Sequence, residues 1–276
     1  MSGADRPIWY RFLTAYVLQI TPVVISGVLC LRNGLSKTMV NNKKPWMVIG
    51  IALLCFSIGT AFFSSWELIW HLSSTGCLGD PFFVMFYALL LSAMLMVIWQ
   101  RKIVPNVWQF LTIAIIAAYT IGMTNIILEP VPIPPSTAIV ATETAKTEPV
   151  AEEAPAVEVP AWVQSVDQAI KPYGKNLNVF YIWCDVCLFC LSLAILFNSW
   201  DSRSARPWQI TAQAVFFIYV ADSWYAYAGN KITDYQAGFT LEVCWILGIL
   251  QFGVAAAIEF DQAMAARAAM KRAGIE

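Results

Sequence analysis

Among the carboxylic acids within otherwise apolar stretches of this chain, four stand out: Glu67, Asp185, Asp222 and Glu242. An acid in the middle of a bilayer costs about 2.5–3.5 kcal/mol or more, so such residues pair, face a cavity or do chemistry. Glu67 belongs to the run Ser64-Ser65-Trp66-Glu67-Leu68-Ile69-Trp70-His71, in which His71 stands one helical turn beyond Glu67 on the same face. Asp222 shares a helix face with Tyr219 and Tyr225 and is flanked by Ser223 and Trp224. Gln19 is a polar residue within the first apolar run. Aromatic walls with a few converging polar groups describe a pocket for an apolar or amphipathic small molecule. A carboxyl group kept neutral in such a pocket can act as an acid. For Glu67 and Glu242, the plainer alternative is that they reach up to the membrane surface.

Several other chemistries fail on residue count. The chain has one histidine, which rules out bis-histidine haem, copper clusters and multi-histidine iron sites. Cys184, Cys187 and Cys190 climb a single helix without a second cysteine pair nearby, so packing explains them better than zinc. Cys77 alone falls in an expected loop, and no disulfide framework is read from the seven cysteines. No apolar run contains a lysine for a retinal Schiff base. There is no phosphate loop, no serine-nucleophile elbow and no nucleic-acid footprint. No cofactor or metal is expected.

The elements that must carry these acids follow from hydropathy. Of the 276 residues, 59% are hydrophobic and 13% charged, whereas a soluble domain carries about a quarter charged. The apolar residues gather in seven runs: 12–31, 46–69, 82–99, 108–128, 179–197, 208–228 and 239–260. Runs of roughly 20 residues cross a hydrocarbon core of about 30 Å as helices. The expected fold is therefore all-α, a polytopic membrane protein with a seven-transmembrane-helix bundle. Trp and Tyr mark many of the run ends, as interfacial belts do, and Pro22 predicts a kink in the first. The first run is too long for a cleavable signal peptide.

Lysine and arginine set the orientation. Eleven of them fall on one side, including Arg32, Lys43, Arg101, Arg206 and Arg267, against six on the other. The positive-inside rule then puts the amino terminus outside and the carboxyl terminus in the cytoplasm. In this orientation all four acids occupy the outer half of the bilayer. The chain divides into 1–128 with four helices, a linker over 129–178, and 179–276 with three helices and a short Ala-rich tail that continues the last helix. The linker holds eight of the fourteen prolines, with seven acids against three lysines, and is expected to be disordered outside the membrane. Within it, Ala161–Ile170 could form a short helix lying on the outer face, although the composition favours a plain spacer.

The pair Trp66-Glu67 followed by Trp70 resembles the motif of the small seven-helix terpene cyclases of meroterpenoid pathways. The Asp222-x-x-Tyr225 spacing is similar to the aspartate setting of the same family. The resemblance covers the first three helices and one short motif. It implies an enzyme that protonates an epoxide or alkene of a polyprenyl substrate, with Glu67 or Asp222 as acid and Trp66, Trp70, Trp224 and Tyr225 shaping the cavity. Two features depart from the family: its aspartate belongs to the last helix whereas Asp222 is on the sixth, and the acidic linker is foreign to it. On the residues alone, two other classes stay open: a receptor or sensor working through a separate membrane or cytoplasmic partner, and a transporter or complex subunit. In each case the protein is multi-pass, in a plasma, inner or endomembrane, and its surroundings are lipid.

Overall fold

The computed structural model describes residues 7–39, 43–72, 76–128, 159–200, 202, 205–232, 241 and 243–274. Among them every regular element is helical. In chain order they are α1 (Ile8–Phe12), a π-helical segment (Leu13–Leu18), α2 (Ile20–Leu35), α3 (Lys43–Leu68), α4 (Asp80–Arg101), α5 (Val107–Leu128), α6 (Ala161–Ile170), a 3-10 turn (Lys171–Tyr173), α7 (Gly174–Ser199), α8 (Arg206–Lys231) and α9 (Val243–Arg272). Six helical stretches are long and apolar enough to cross a membrane: Trp9–Leu35, Lys43–Leu68, Asp80–Arg101, Val107–Ile127, Ala161–Ser199 and Val243–Arg272. The protein is thus a multi-pass membrane protein by length and composition. α8 is as long as α3 but more polar, carrying Gln209, Gln213, Asp222 and Asn230.

Six helices close into a ring. α2 packs on α3, α3 on α4, α4 on α7, α7 on α8, α8 on α9, and α9 returns to α2. α5 lies on the outside of this ring against α7 and α8. Its lipid-facing character shows in exposed Trp108, Phe110, Ile115 and Tyr119. Small residues bring the ring helices close, as they do where lipid gives no hydrophobic drive between helices. A Cβ on Gly50 of α3 would stand 2.8 Å from Leu31 N and 2.9 Å from Gly27 O of α2. A Cβ on Gly253 of α9 would meet Ser26 Oγ at 2.7 Å.

The kink expected at Pro22 takes a specific form. Pro22 has no N–H to give Leu18, and its ring crowds that carbonyl. The preceding turn widens into the π-helical segment, with Gln19 N–H donating to Thr14 O over five residues at 3.1 Å. Gln19 is the residue that ends it.

The two ends of the bundle differ. At the basic end, Trp46 and Trp208 are fully buried with ring centroids 5.0 Å apart, and Arg101 lies 5.7 Å above the Trp208 ring. There Arg32 covers Phe260 at 4.0 Å, and Asn33 Nδ2 donates to Ala256 O at 2.7 Å. At the opposite end, α6 lies against the last turn of α3. Its apolar Val163 and Val166 join Trp66 and Cys77 in a small cluster, and Trp66 Nε1 donates to Asp167 Oδ1 at 3.3 Å.

This docking corrects the extent of the expected linker. Residues 129–158 lie outside the described ones, but from Ala161 the chain is helical, and α7 begins at Gly174 rather than after Asn178. The reason is amphipathic: α6 has an apolar face to bury, and its own Trp162 meets Trp66 and Trp70 edge-on, the three ring centroids 4.8 to 6.3 Å apart. The short helix that the Ala161–Ile170 pattern allows is present with those same bounds, in place of a plain spacer. The tail continues the last helix to Arg272.

Candidate functional site: an acid–tyrosine cavity

The ring encloses a cavity of about 130 Å³ near the end where α3 and α8 finish and α4, α7 and α9 begin. Each wall is a single helical stripe. Phe56, Thr60 and Phe63 repeat at four and three residues along α3, and Asp80, Phe83 and Tyr87 at three and four along α4. α7 contributes Tyr181 and Asp185, α8 Asp222 and Tyr225, and α9 Trp245. Gln19, at the end of the π-helical segment, closes the remaining side.

The centre of the site is a tyrosine between two acids. Tyr87 Oη lies 2.9 Å from Asp185 Oδ1 and 3.0 Å from Asp222 Oδ2. Tyr87 and Asp185 are buried, and Asp222 is half-buried at the cavity wall. A phenol has one hydrogen to donate, and an ionised carboxylate has none. Either Tyr87 shares its one hydrogen between the two carboxylates, or one aspartate carries a further proton and donates it to the phenol oxygen. Asp222 Oδ1 accepts a third bond, from Trp245 Nε1 at 2.7 Å.

A second acid–phenol pair lies beside the first. Tyr181 Oη donates to Asp80 Oδ1 at 2.7 Å, and the Cys77 backbone N–H donates to Asp80 Oδ2 at 2.6 Å. The Tyr181 and Tyr87 rings stack with centroids 5.5 Å apart. The backbone bond from Cys77 also satisfies Asp80 as the first residue of α4, followed by Pro81 where a helix tolerates it. Cys77 is itself fully buried in the loop before α4. Burial, and behind it the charge of Asp80, pushes its thiol up to about 12.

Of the residues singled out from the sequence, Gln19, Asp185, Asp222 and Tyr225 line this one cavity. Trp66 and Trp70 do not line it and pack instead under α6. Glu67 is half-buried one turn beyond Phe63 on the same stripe of α3, above the lining residues. His71 is exposed just after α3, with a positive φ of 51°. Tyr219 stacks on Phe189 at 5.0 Å, and Trp224 lies against Tyr227 at 5.9 Å, both away from the lining. Glu242 lies outside the described residues.

Tyr87, Tyr181, Asp80 and Trp245 are the functional candidates that the sequence reading passes over. The first two read as hydrophobes inside apolar runs, although a buried phenol usually finds a partner. Asp80 reads as a helix-start residue before proline. Among the described residues, no group of three His, Cys, Asp or Glu side chains could hold a metal ion.

No protein-family model matches the chain, and no curated protein or solved structure does either. The site has to be read from its own chemistry.

Proposed function

We propose that the protein crosses the membrane seven times, with α8 as the added span, its amino terminus outside and its carboxyl terminus in the cytoplasm. α8 sits in the closed ring between α7 and α9, and burial of its flanks there offsets its more polar composition. Arg101, Arg206, Lys271 and Arg272 gather at or beyond one end, the end the positive-inside rule assigns to the cytoplasm. The cavity then opens toward the outer half of the bilayer.

On this reading the cavity takes a small apolar or amphipathic molecule and offers it a proton from the Asp185–Tyr87–Asp222 group. The Tyr87 hydroxyl held between two carboxyl groups carries the proposal. Phe63, Tyr225 and Trp245 line the cavity with aromatic rings, whose π-systems stabilise positive charge as it develops on the bound molecule. This is the chemistry of acid-started cyclisation or isomerisation. A cavity of this volume compares with one that admits benzene. Only the reactive end of a polyprenyl chain fits inside it, with the tail left among helices or lipid. Asp222 or Asp185 serves as the acid. Glu67, which the family resemblance favours, stands above the lining and serves at the entrance.

The experiment is turnover of polyprenyl epoxides and alkenes by purified protein, native against Asp185→Asn, Asp222→Asn and Glu67→Gln. Loss of product in the first two with retention in the third supports this assignment. Unchanged product in both aspartate variants ends it.

A further inference from the structure

We infer that this cavity binds an organic cation, an ammonium centre carrying small alkyl groups. The inference uses the same cavity as the function proposed above but does not require proton transfer in it.

Charge is the first argument. Both carboxylate oxygens of Asp80 accept hydrogen bonds, from Cys77 N–H and Tyr181 Oη, the pattern of an ionised acid. Asp185 and Asp222 both turn an oxygen to the Tyr87 hydroxyl, and with no more than one further hydrogen among the three groups the pair keeps at least one negative charge. The residues lining the cavity include no lysine, arginine or histidine. Negative charge in a membrane interior without a counter-charge is costly, so the cavity favours a positive occupant.

The walls decide which kind. A calcium or magnesium ion needs six or more oxygen ligands in a tight shell, and no three acids among the described residues come together to supply them. The cavity instead sets aromatic rings around its acids: Phe56, Phe63, Phe83, Tyr225 and Trp245, with Tyr225 and Trp245 5.6 Å apart. Carboxylate with aromatic faces is the combination that recognises alkylammonium groups. The volume of about 130 Å³ admits one such headgroup.

The test titrates the full chain in detergent micelles with choline and with 3,3-dimethyl-1-butanol, its uncharged isostere. Calorimetry gives the readout. Choline is expected to saturate the site and to bind at least about tenfold tighter than the alcohol. Asp185→Asn and Asp222→Asn should each weaken choline by about tenfold or more, while Asp167→Asn, outside the cavity, should not. Equal binding of the two probes, no saturable choline binding, or full affinity in Asp222→Asn overturns the inference. Should an aspartate variant fail to fold, the two probes on the native chain still decide. Choline binding without any product would remove the catalytic reading and leave this one. Product formation without choline binding would do the reverse.

Discussion

Tyr181 stacks on Tyr87 with centroids 5.5 Å apart and ring planes 23° from parallel, so two phenols that serve different acids form a single slab. Their hydroxyls divide the work: Tyr181 holds Asp80, and Tyr87 bridges Asp185 to Asp222. Tyr87→Phe keeps the slab and removes the bridge. Leaving buried acid oxygens short of a donor costs about 1–3 kcal/mol. Thermal unfolding in detergent should show Tyr87→Phe below native, with Tyr181→Phe closer to native because Asp80 keeps its Cys77 backbone bond. An unchanged midpoint for Tyr87→Phe would mean the bridge contributes nothing.

The α2–α3 contact depends on a missing side chain. Gly50→Ala must displace backbone atoms of Leu31 and Gly27 that a Cβ would meet below 3.0 Å, an overpacking cost of about 1–3 kcal/mol. Gly122 of α5 has nothing within 4 Å of its Cβ position, so Gly122→Ala should leave stability unchanged or slightly raised. The difference between these two unfolding midpoints is the measurement, and equality would refute the close approach.

Cys77 gives a pH prediction. Its thiol, held at about 12 against an ordinary 9.0, stays protonated in the folded chain where an unfolded one would ionise. The folded state thus binds this proton more tightly, and the stability linked to it is complete below pH 9 and falls as pH rises toward 12. Native Cys77 should resist maleimide at pH 8, both by burial and by lack of thiolate, and should react once the protein unfolds. Peptide mass spectrometry before and after denaturation distinguishes these states. Rapid labelling of folded protein would refute the burial.

Trp66 anchors α6. Trp66→Ala removes a fully buried indole and its bond to Asp167, with an expected loss of about 3–5 kcal/mol. Trp99, 85% exposed, is a control of the same residue type, and Trp99→Ala should stay within about 0.5 kcal/mol. Protease cleavage near Ala161 should increase only in the first variant.

Orientation is the simplest prediction to check. Reporter tags at the amino terminus and within 129–158 should be reached from outside intact cells, and a tag after Arg272 only after permeabilisation. A carboxyl-terminal tag reached from outside would show an even number of crossings or the reverse insertion.

Hydropathy made most of the fold legible, because lipid demands long apolar helices and little else can produce them. α8 was legible only as a run, since Gln213 and Asp222 dilute its hydropathy, and its place in the ring comes from packing. Gln19, Asp185, Asp222 and Tyr225 could be read as one site because each falls at a similar depth once the spans are oriented. Trp66 and Trp70 could not be placed, because what covers them is α6, a short helix at the end of a proline-rich stretch whose docking no local pattern specifies. Tyr87 and Trp245 stayed hidden for a related reason. Phenol and indole count as apolar in a hydropathy scan, and their single polar atoms matter only once an acid is opposite.

α6, the 3-10 turn and α7 form one uninterrupted helical path, and Gly174 and Asn178, early in α7, border the cavity. The Trp66–Asp167 contact ties this path to the end of α3. One continuous backbone thus runs from the short helix packed on Trp66 to the wall of the acid cavity, so the two share a common rigid border.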